Sequence, residues 1–293
     1  MNTPGNKFRD AIADNKPLMV VGAINAYCAK MAEKSGHKAL YLSGAGVANA
    51  SFGLPDLAIT TLNDVAEDSR RITQATNLPL LIDIDTGFGG AFSISRTIKE
   101  MIAADVAAVH IEDQVTQKRC GHRPNKSLVD KIEMTDRIKA AVDSRTDESF
   151  FIMARTDSYA SEGMQGAIDR CNEYISAGAD GLFLEAVSSL EDYKQLKDAL
   201  QVPLLANITE FGKTPLFSAQ ELASVGVDIM LFPLSAFRAM NKAAESVYID
   251  IAENGSQVNS VEKMQTRDEL YEYLNYHSFE QKLDELFKRK ENK

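Results

Sequence analysis

Hydrophobic positions along the chain fall into short β-branched or leucine-rich runs, separated by longer stretches whose apolar residues recur at helical spacing. The runs Leu18–Ala23, Ala39–Leu42, Leu80–Ile84, Ala107–Ile111, Phe150–Arg155, Gly181–Leu184, Pro203–Ile208 and Asp228–Phe232 predict strands. Helical periodicity appears between them over Thr61–Thr76, Ser93–Ala104, Lys131–Ser144, Gly163–Ala177 and Ser189–Leu200. Eight strand–helix units within roughly 250 residues is the arithmetic of an α/β fold, the (β/α)8 TIM-like barrel. Ala177-Gly178-Ala179-Asp180 and Val225-Gly226-Val227-Asp228 echo one another, each ending a helix with a glycine suited to a C-cap. A doubly wound open sheet is the alternative, but no GxGxxG follows the first strand. Past the eighth strand, Ala236–Glu253 and Arg267–Arg289 predict helices rich in charge and aromatics. That is more than one closing helix, so the expected organisation is a single barrel domain over 1–293 whose tail, 236–293, makes subunit contacts.

Strand alternation also predicts which side chains face inward, because successive residues point to opposite faces and barrel active sites gather at the C-terminal strand ends. Tyr41 and Ser43 share one face of the second strand, opposite Leu40 and Leu42. Leu81, Asp83 and Asp85 share a face of the third, and Ala108, His110 and Glu112 a face of the fourth. Arg155 follows Met153 in parity, Glu185 follows Phe183, and Asn207 follows Leu205. Six consecutive strands thus end in polar groups aimed inward. Solvated loops have no period of two and would not keep that parity.

Composition narrows the class. The chain has 293 residues, 44% of them hydrophobic, enough for a large core. A formal net charge of −10 argues against a nucleic-acid partner. No apolar stretch is long enough to span a bilayer, and Met1 to Asp14 lacks the apolar centre of a signal peptide. Cys28, Cys120 and Cys171 form no CxxC pair, which fits reduced thiols rather than a disulfide framework or structural zinc. A soluble cytoplasmic protein without a membrane partner is expected.

The candidate chemistry is uneven. Lys118-Arg119-Cys120-Gly121-His122 places a thiol among three basic side chains, a setting that lowers a cysteine pKa, and glycine allows close backbone approach to a ligand. The ordinary alternative is a small, inert cysteine. Asp83, Asp85, Glu112 and Asp56 would repel one another without a cation. Few hard oxygen ligands with room for water and substrate suit Mg²⁺ or Mn²⁺; calcium wants more ligands in one loop, and zinc wants His or Cys. Opposite them stand Lys118, Arg119, Arg155, Arg238 and Arg267, of which Arg155 ends an apolar strand and needs a buried partner. A metal on one side and arginines on the other suit a small, multiply anionic substrate.

Gly53-Leu54-Pro55-Asp56, Asp83-Ile84-Asp85-Thr86-Gly87-Phe88-Gly89, His110-Ile111-Glu112-Asp113-Gln114 and the run from Lys118 to Lys126 carry a family resemblance. So do Met153-Ala154-Arg155-Thr156-Asp157, the stretch from Leu205 to Gly212 and that from Pro233 to Met240. From about Arg9 to Arg289 the chain resembles the bacterial 2-methylisocitrate lyases, of the isocitrate lyase/phosphoenolpyruvate mutase superfamily. It departs from their pattern at Ala45, where the family has Gly, and at Leu184, where it has Pro.

The resemblance implies a (β/α)8 barrel whose last helix is exchanged between subunits of a homotetramer. It implies Mg²⁺ on Asp83 and Asp85, with Asp56 and Glu112 in the outer shell. It implies substrate contacts from Ser43, Gly44, Ala45, Cys120, Gly121, Arg155, Glu185, Asn207, Ile208, Thr209, Arg238 and Arg267. Phe183 and Leu231 would mark preference for a methylated tricarboxylate. The expected reaction is cleavage of (2S,3R)-2-methylisocitrate to pyruvate and succinate, in the methylcitrate cycle of propionate catabolism. Cys120, helped by Lys118 and His122, would protonate the succinate carbanion from a loop that closes over the ligand. Tyr41 or a metal-oriented water would remove the hydroxyl proton, and the sequence does not choose between them. Isocitrate cleavage, phosphonomutase or oxaloacetate decarboxylase activity on the same scaffold, or a silent ligand-binding protein, are the other readings.

Overall fold

The computed structural model describes residues 3–121, 123 and 125–288. Two compact units divide the chain, Met1–Phe237 and Arg238–Lys293. The first is the barrel. Its strands are β1 (Leu18–Gly22), β2 (Ala39–Leu42), β3 (Leu80–Asp83), β4 (Ala108–Glu112), β5 (Phe151–Thr156), β6 (Gly181–Leu184), β7 (Leu204–Asn207) and β8 (Ile229–Phe232). They pair in sequence order, all parallel, and β8 returns to β1 with Leu18 opposite Ile229, closing the barrel. At the seam Gly22 has no room for a side chain, since a Cβ would lie 1.9 Å from the Pro233 carbonyl oxygen.

The helices are α1 (Pro4–Asp14), α2 (Ala26–Lys34), the single turn α3 (Gly44–Gly46), α4 (Leu62–Thr73), α5 (Ala91–Ala103), α6 (Lys131–Asp143), α7 (Tyr159–Ser176), α8 (Leu190–Ala199) and α9 (Ala219–Ser224). After β8 come α10 (Ser235–Asn254), α11 (Arg267–Leu274) and α12 (Tyr276–Phe287). The expected C-cap glycines are in place: Gly178 and Gly226 have φ of 104° and 82°, a region that disfavours residues with a Cβ.

Parity divides the core into two layers. Tyr41, Leu81, Ala108, Met153, Phe183, Leu205 and Leu231 pack together inside the barrel. Leu40, Leu42, Ile82, Ile84, Val109, Ile111 and Leu184 pack between strands and helices. Such interior layering fixes the strand ends as a rigid rim on which chemistry can be mounted. Helix α1 joins the inner cluster through Phe8 and Ile12, and Phe8 meets Phe151 edge-on at 5.5 Å. This helix is not predicted above, although Thr3 as N-cap, Pro4 in the first turn and the Phe8–Ile12 spacing are its signals.

Other boundaries shift for local reasons. Helix α7 begins at Tyr159 rather than Gly163, and Gly163, with φ 70°, breaks it. The predicted helix Arg267–Arg289 is two helices, because Asn275 takes a left-handed conformation (φ 52°) between α11 and α12; Arg289 lies outside the described residues. No residue of α10, α11 or α12 is buried. Tyr248, Phe279, Leu286 and Phe287 are exposed apolar residues of this unit. In the barrel unit a groove of about 480 Å³ runs along β1, α2 and β8, lined by Met19, Val21, Met31 and Phe232 among others. Met19 is 45% exposed there.

Candidate active site

The C-terminal rim gathers most of the expected residues. Strand ends deliver Asp83, Glu112, Arg155 and Asn207, the turn after β3 delivers Asp85, and Ser43, Glu185 and Thr209 come just past their strands, all buried. Asp85 takes a left-handed backbone (φ 48°), which brings its amide to Asp83 Oδ1 at 3.0 Å. Ser43 caps the short turn α3, and the Gly44 amide donates to Asp83 Oδ2 at 3.3 Å. Ala45 follows, half-buried. Ile208 is one residue out of parity with Asn207, and its side chain packs in the strand–helix layer.

Lys118, expected opposite the carboxylates, stands among them: its ammonium lies 2.6 Å from Asp85 Oδ1 and 2.5 Å from Asp56 Oδ1. The approach to Asp85 is an ion-pair contact without hydrogen-bond alignment. Burial opposes a charge on Lys118, but Asp85, Asp83, Glu112 and Asp56 outweigh it and hold the ammonium protonated. Lys118 is thus bound to the acidic cluster, whereas Arg119 is exposed and Gln114 clamps its backbone at 3.0 and 2.9 Å. Arg155 lies 3.3 Å from Glu112 Oε2, 3.1 Å from Glu185 Oε2 and 3.0 Å from Asp157 Oδ2. Its guanidinium also sits 4.9 Å over the Phe183 ring, and Phe183 and Leu231 are fully buried below the rim.

The loop with the basic–thiol run folds over this rim. A Cβ on Gly121 would lie 2.4 Å from Arg155 Nη2 and 2.5 Å from Glu185 Oε2, so a side chain there would have to displace both. Cys120, its neighbour, is half-buried, while Cys28 and Cys171 are buried. His122 lies outside the described residues. Arg238, on α10, and Arg267, opening α11, belong to the second unit and are not part of the barrel unit.

Tyr41 and His110 stack at 5.7 Å, with 2.8 Å between the phenol oxygen and Nε2. Burial, reinforced by Asp83, pushes the Tyr41 hydroxyl well above its ordinary range. Burial lowers His110 to about 4, so the imidazole is neutral. Burial raises Asp85 to about 6, with Asp83 adding to it and Lys118 opposing. Burial raises Glu112 as well. For Asp83, burial is more than offset by His110, Lys118 and Arg155, and the carboxyl is lowered.

Asp157 and Lys126 are not singled out above. Asp157 is fully buried, pairs with Arg155 and accepts from Lys126 Nζ at 2.5 Å. Its parity with Arg155 was a usable signal; nothing in the spacing marks Lys126. A cavity of about 370 Å³ opens beside Asp85, lined by Thr60, Thr86, Phe88, Ser93, Arg96 and Thr116 among others.

The donor set suits a hard divalent cation. Among the described residues no three His, Cys, Asp or Glu side chains form a ready protein cage. Mg²⁺ needs none, since it is held by one or two carboxylates and keeps water or substrate on its other positions. Buried Glu112 Oε1 has no hydrogen-bond partner among the described residues, an acceptor suited to water around such an ion.

Barrel, acidic rim and overlying cysteine loop define an enzyme of carboxylate and carbonyl chemistry rather than a binding scaffold. A family model for phosphoenolpyruvate phosphomutase matches residues 8–252. A 2-methylisocitrate lyase of Vibrio cholerae serotype O1 is 61% identical, covering 97% of this chain and 94% of that protein. The 2-methylisocitrate lyase of Escherichia coli K12 is 56% identical, covering 100% and 99%. A crystal structure of 2,3-dimethylmalate lyase superposes with a TM-score of 0.89 at 34% identity, covering 98% of this chain and 96% of that one. The chain belongs to the phosphoenolpyruvate mutase/isocitrate lyase superfamily, a family of lyases and mutases that are typically metal-dependent.

A pH dependence follows from Asp85. A carboxyl raised to about 6 is ionised above that pH and neutral below it. Affinity for a hard divalent cation, measured by calorimetry, should therefore fall as pH drops through 6, by up to about tenfold per unit. Constant affinity between about pH 5 and 8 would contradict this assignment.

Proposed function

We propose that this enzyme cleaves the C–C bond of 2-methylisocitrate to give pyruvate and succinate, using Mg²⁺ on Asp83 and Asp85 with Asp56 and Glu112 outside them. The observation that carries the reading is the loop: Gly121 rests on Arg155 and Glu185, which holds Cys120 at the rim where a carbanion would form. The names of relatives 56–61% identical over nearly the whole chain support the same reaction.

Bound at the acidic side, the cation would supply Lewis acidity to the substrate's hydroxyl and carboxylate oxygens. The chain's own residues do the rest. Arg155 and Asn207 face the substrate with donors that stabilise developing negative charge. The hydroxyl proton leaves, the C–C bond breaks, and its electron pair stays on the succinate fragment. Cys120 then gives its thiol proton to that carbon. Tyr41 is a poor base here, because burial keeps its phenol protonated against His110; water is the better acceptor of the hydroxyl proton. Lys118 acts by neutralising Asp85 and Asp56.

Phe183 and Leu231 offer an apolar floor beneath Arg155. One methyl in such a pocket is worth roughly 1–3 kcal/mol of discrimination. The exposed apolar residues of α10 and α12 suit a homotetramer in which a neighbour's tail covers the groove along β1 and β8. Among the described residues no helix is long and apolar enough to cross a membrane. Three cysteines in the reduced state suit a cytoplasmic enzyme.

Pyruvate release from 2-methylisocitrate should be fast, lost with EDTA, restored by Mg²⁺, and well above that from isocitrate. Comparable kcat/KM on isocitrate, or turnover only of oxaloacetate or phosphonopyruvate, would move the enzyme to another branch of the superfamily. Cys120→Ser should lose about 10²–10⁴ in kcat, the range of a positioned general acid. Near wild-type turnover in that variant would take the proton donation away from Cys120. Light scattering should report a tetramer, and a stable, active monomer lacking residues beyond Asn254 would rule out the tail's part in assembly.

A further inference from the structure

The loop over the rim is tied down by an ammonium at each end. Lys118 meets Asp85 and Asp56 on the acidic side. On the arginine side, Lys126 Nζ donates to the Gly121 carbonyl at 2.6 Å and to Asp157 Oδ1 at 2.5 Å. Cys120 and Gly121 lie between the two ties. We propose that Lys126 is a positioning residue: it latches the Cys120 loop to Asp157, and through Asp157 to Arg155.

Three features support the latch. The Lys126 side chain is 8% exposed and that of Asp157 0%, so this is a desolvated, charge-assisted contact rather than a surface ion pair. Asp157 is itself fixed, because its amide donates to Asp113 Oδ1 at 3.0 Å, and Asp113 Oδ2 accepts from Thr156 at 2.6 Å and Tyr174 at 2.9 Å. The latch therefore pulls against a rigid post. Charge supplies the third. Arg155 faces Glu112, Glu185 and Asp157 at once, and by taking a share of Asp157 Lys126 leaves more of the guanidinium's charge for an anionic ligand. Closing the loop and readying Arg155 are thereby one event.

The test is Lys126→Met, which keeps the aliphatic stem and removes the ammonium, with Lys126→Arg as rescue. Without added ligand, iodoacetamide should label Cys120 about tenfold faster or more in Lys126→Met, the scale of a lost charged hydrogen bond. Buried Cys28 and Cys171 should stay unlabelled, and Lys126→Arg should recover most of the wild-type rate. A wild-type labelling rate in Lys126→Met would overturn the latch. Labelling of all three cysteines would also overturn it, by showing a general structural role.

The kinetic arm rests on the lyase reading. With fewer molecules closed, KM for 2-methylisocitrate should rise about tenfold while kcat stays within about threefold. Unchanged KM would again count against the latch. Absence of lyase activity in the wild type would remove the functional reading, while the labelling arm still decides the role of Lys126.

Discussion

Everything at the barrel mouth depends on one constraint: buried carboxylates must be matched by cations held in place. Asp83, Asp85, Glu112, Glu185 and Asp157 are all buried at one rim. Isolated charges cannot be kept so far from water, where their attraction and their repulsion are both strengthened. The protein answers with Lys118 on the acidic side, Arg155 at the centre and Lys126 behind it. Two of those three cations belong to the loop that carries Cys120. The loop cannot lift without leaving carboxylates uncompensated, so charge balance and closure over a ligand are coupled.

The barrel makes that arrangement affordable to the fold. Its interior layer of Leu81, Met153, Phe183, Leu205 and Leu231 gives the polar rim a stiff apolar base. The outer layer, with Ile82, Ile84, Val109 and Ile111, anchors the same strands to the helices. Strands β2 to β7 thus serve packing on both faces and carry inward polar residues at or just past their C-terminal ends. A water-excluding site of this kind stabilises developing charge more strongly than solvent could.

Much of this was legible in the sequence because strand parity is a strict rule. Tyr41, Asp83, His110, Glu112, Arg155, Glu185 and Asn207 all lie on the side that alternation assigns them. Ile208 shows the same rule from the other side, since adjacency to Asn207 does not give it the same face. What escaped was set by contacts distant in sequence. Nothing in Lys118-Arg119-Cys120 tells that the lysine reaches Asp56 and Asp85. Nothing near Lys126 names Asp157, which is brought to it by β5. The break at Asn275 and the start of α7 before Gly163 depend on single left-handed residues inside otherwise helical patterns.

The charge-balance account is tested most directly by titrating Mg²⁺ calorimetrically into wild type and Lys118→Met at neutral pH. The ammonium and the ion share the same carboxylates, and like charges a few ångströms apart repel appreciably even at a partly solvated site. Removing the ammonium should therefore tighten Mg²⁺ binding, by about tenfold or more. Unchanged or weaker binding in Lys118→Met would contradict the claim that Lys118 neutralises the acidic rim.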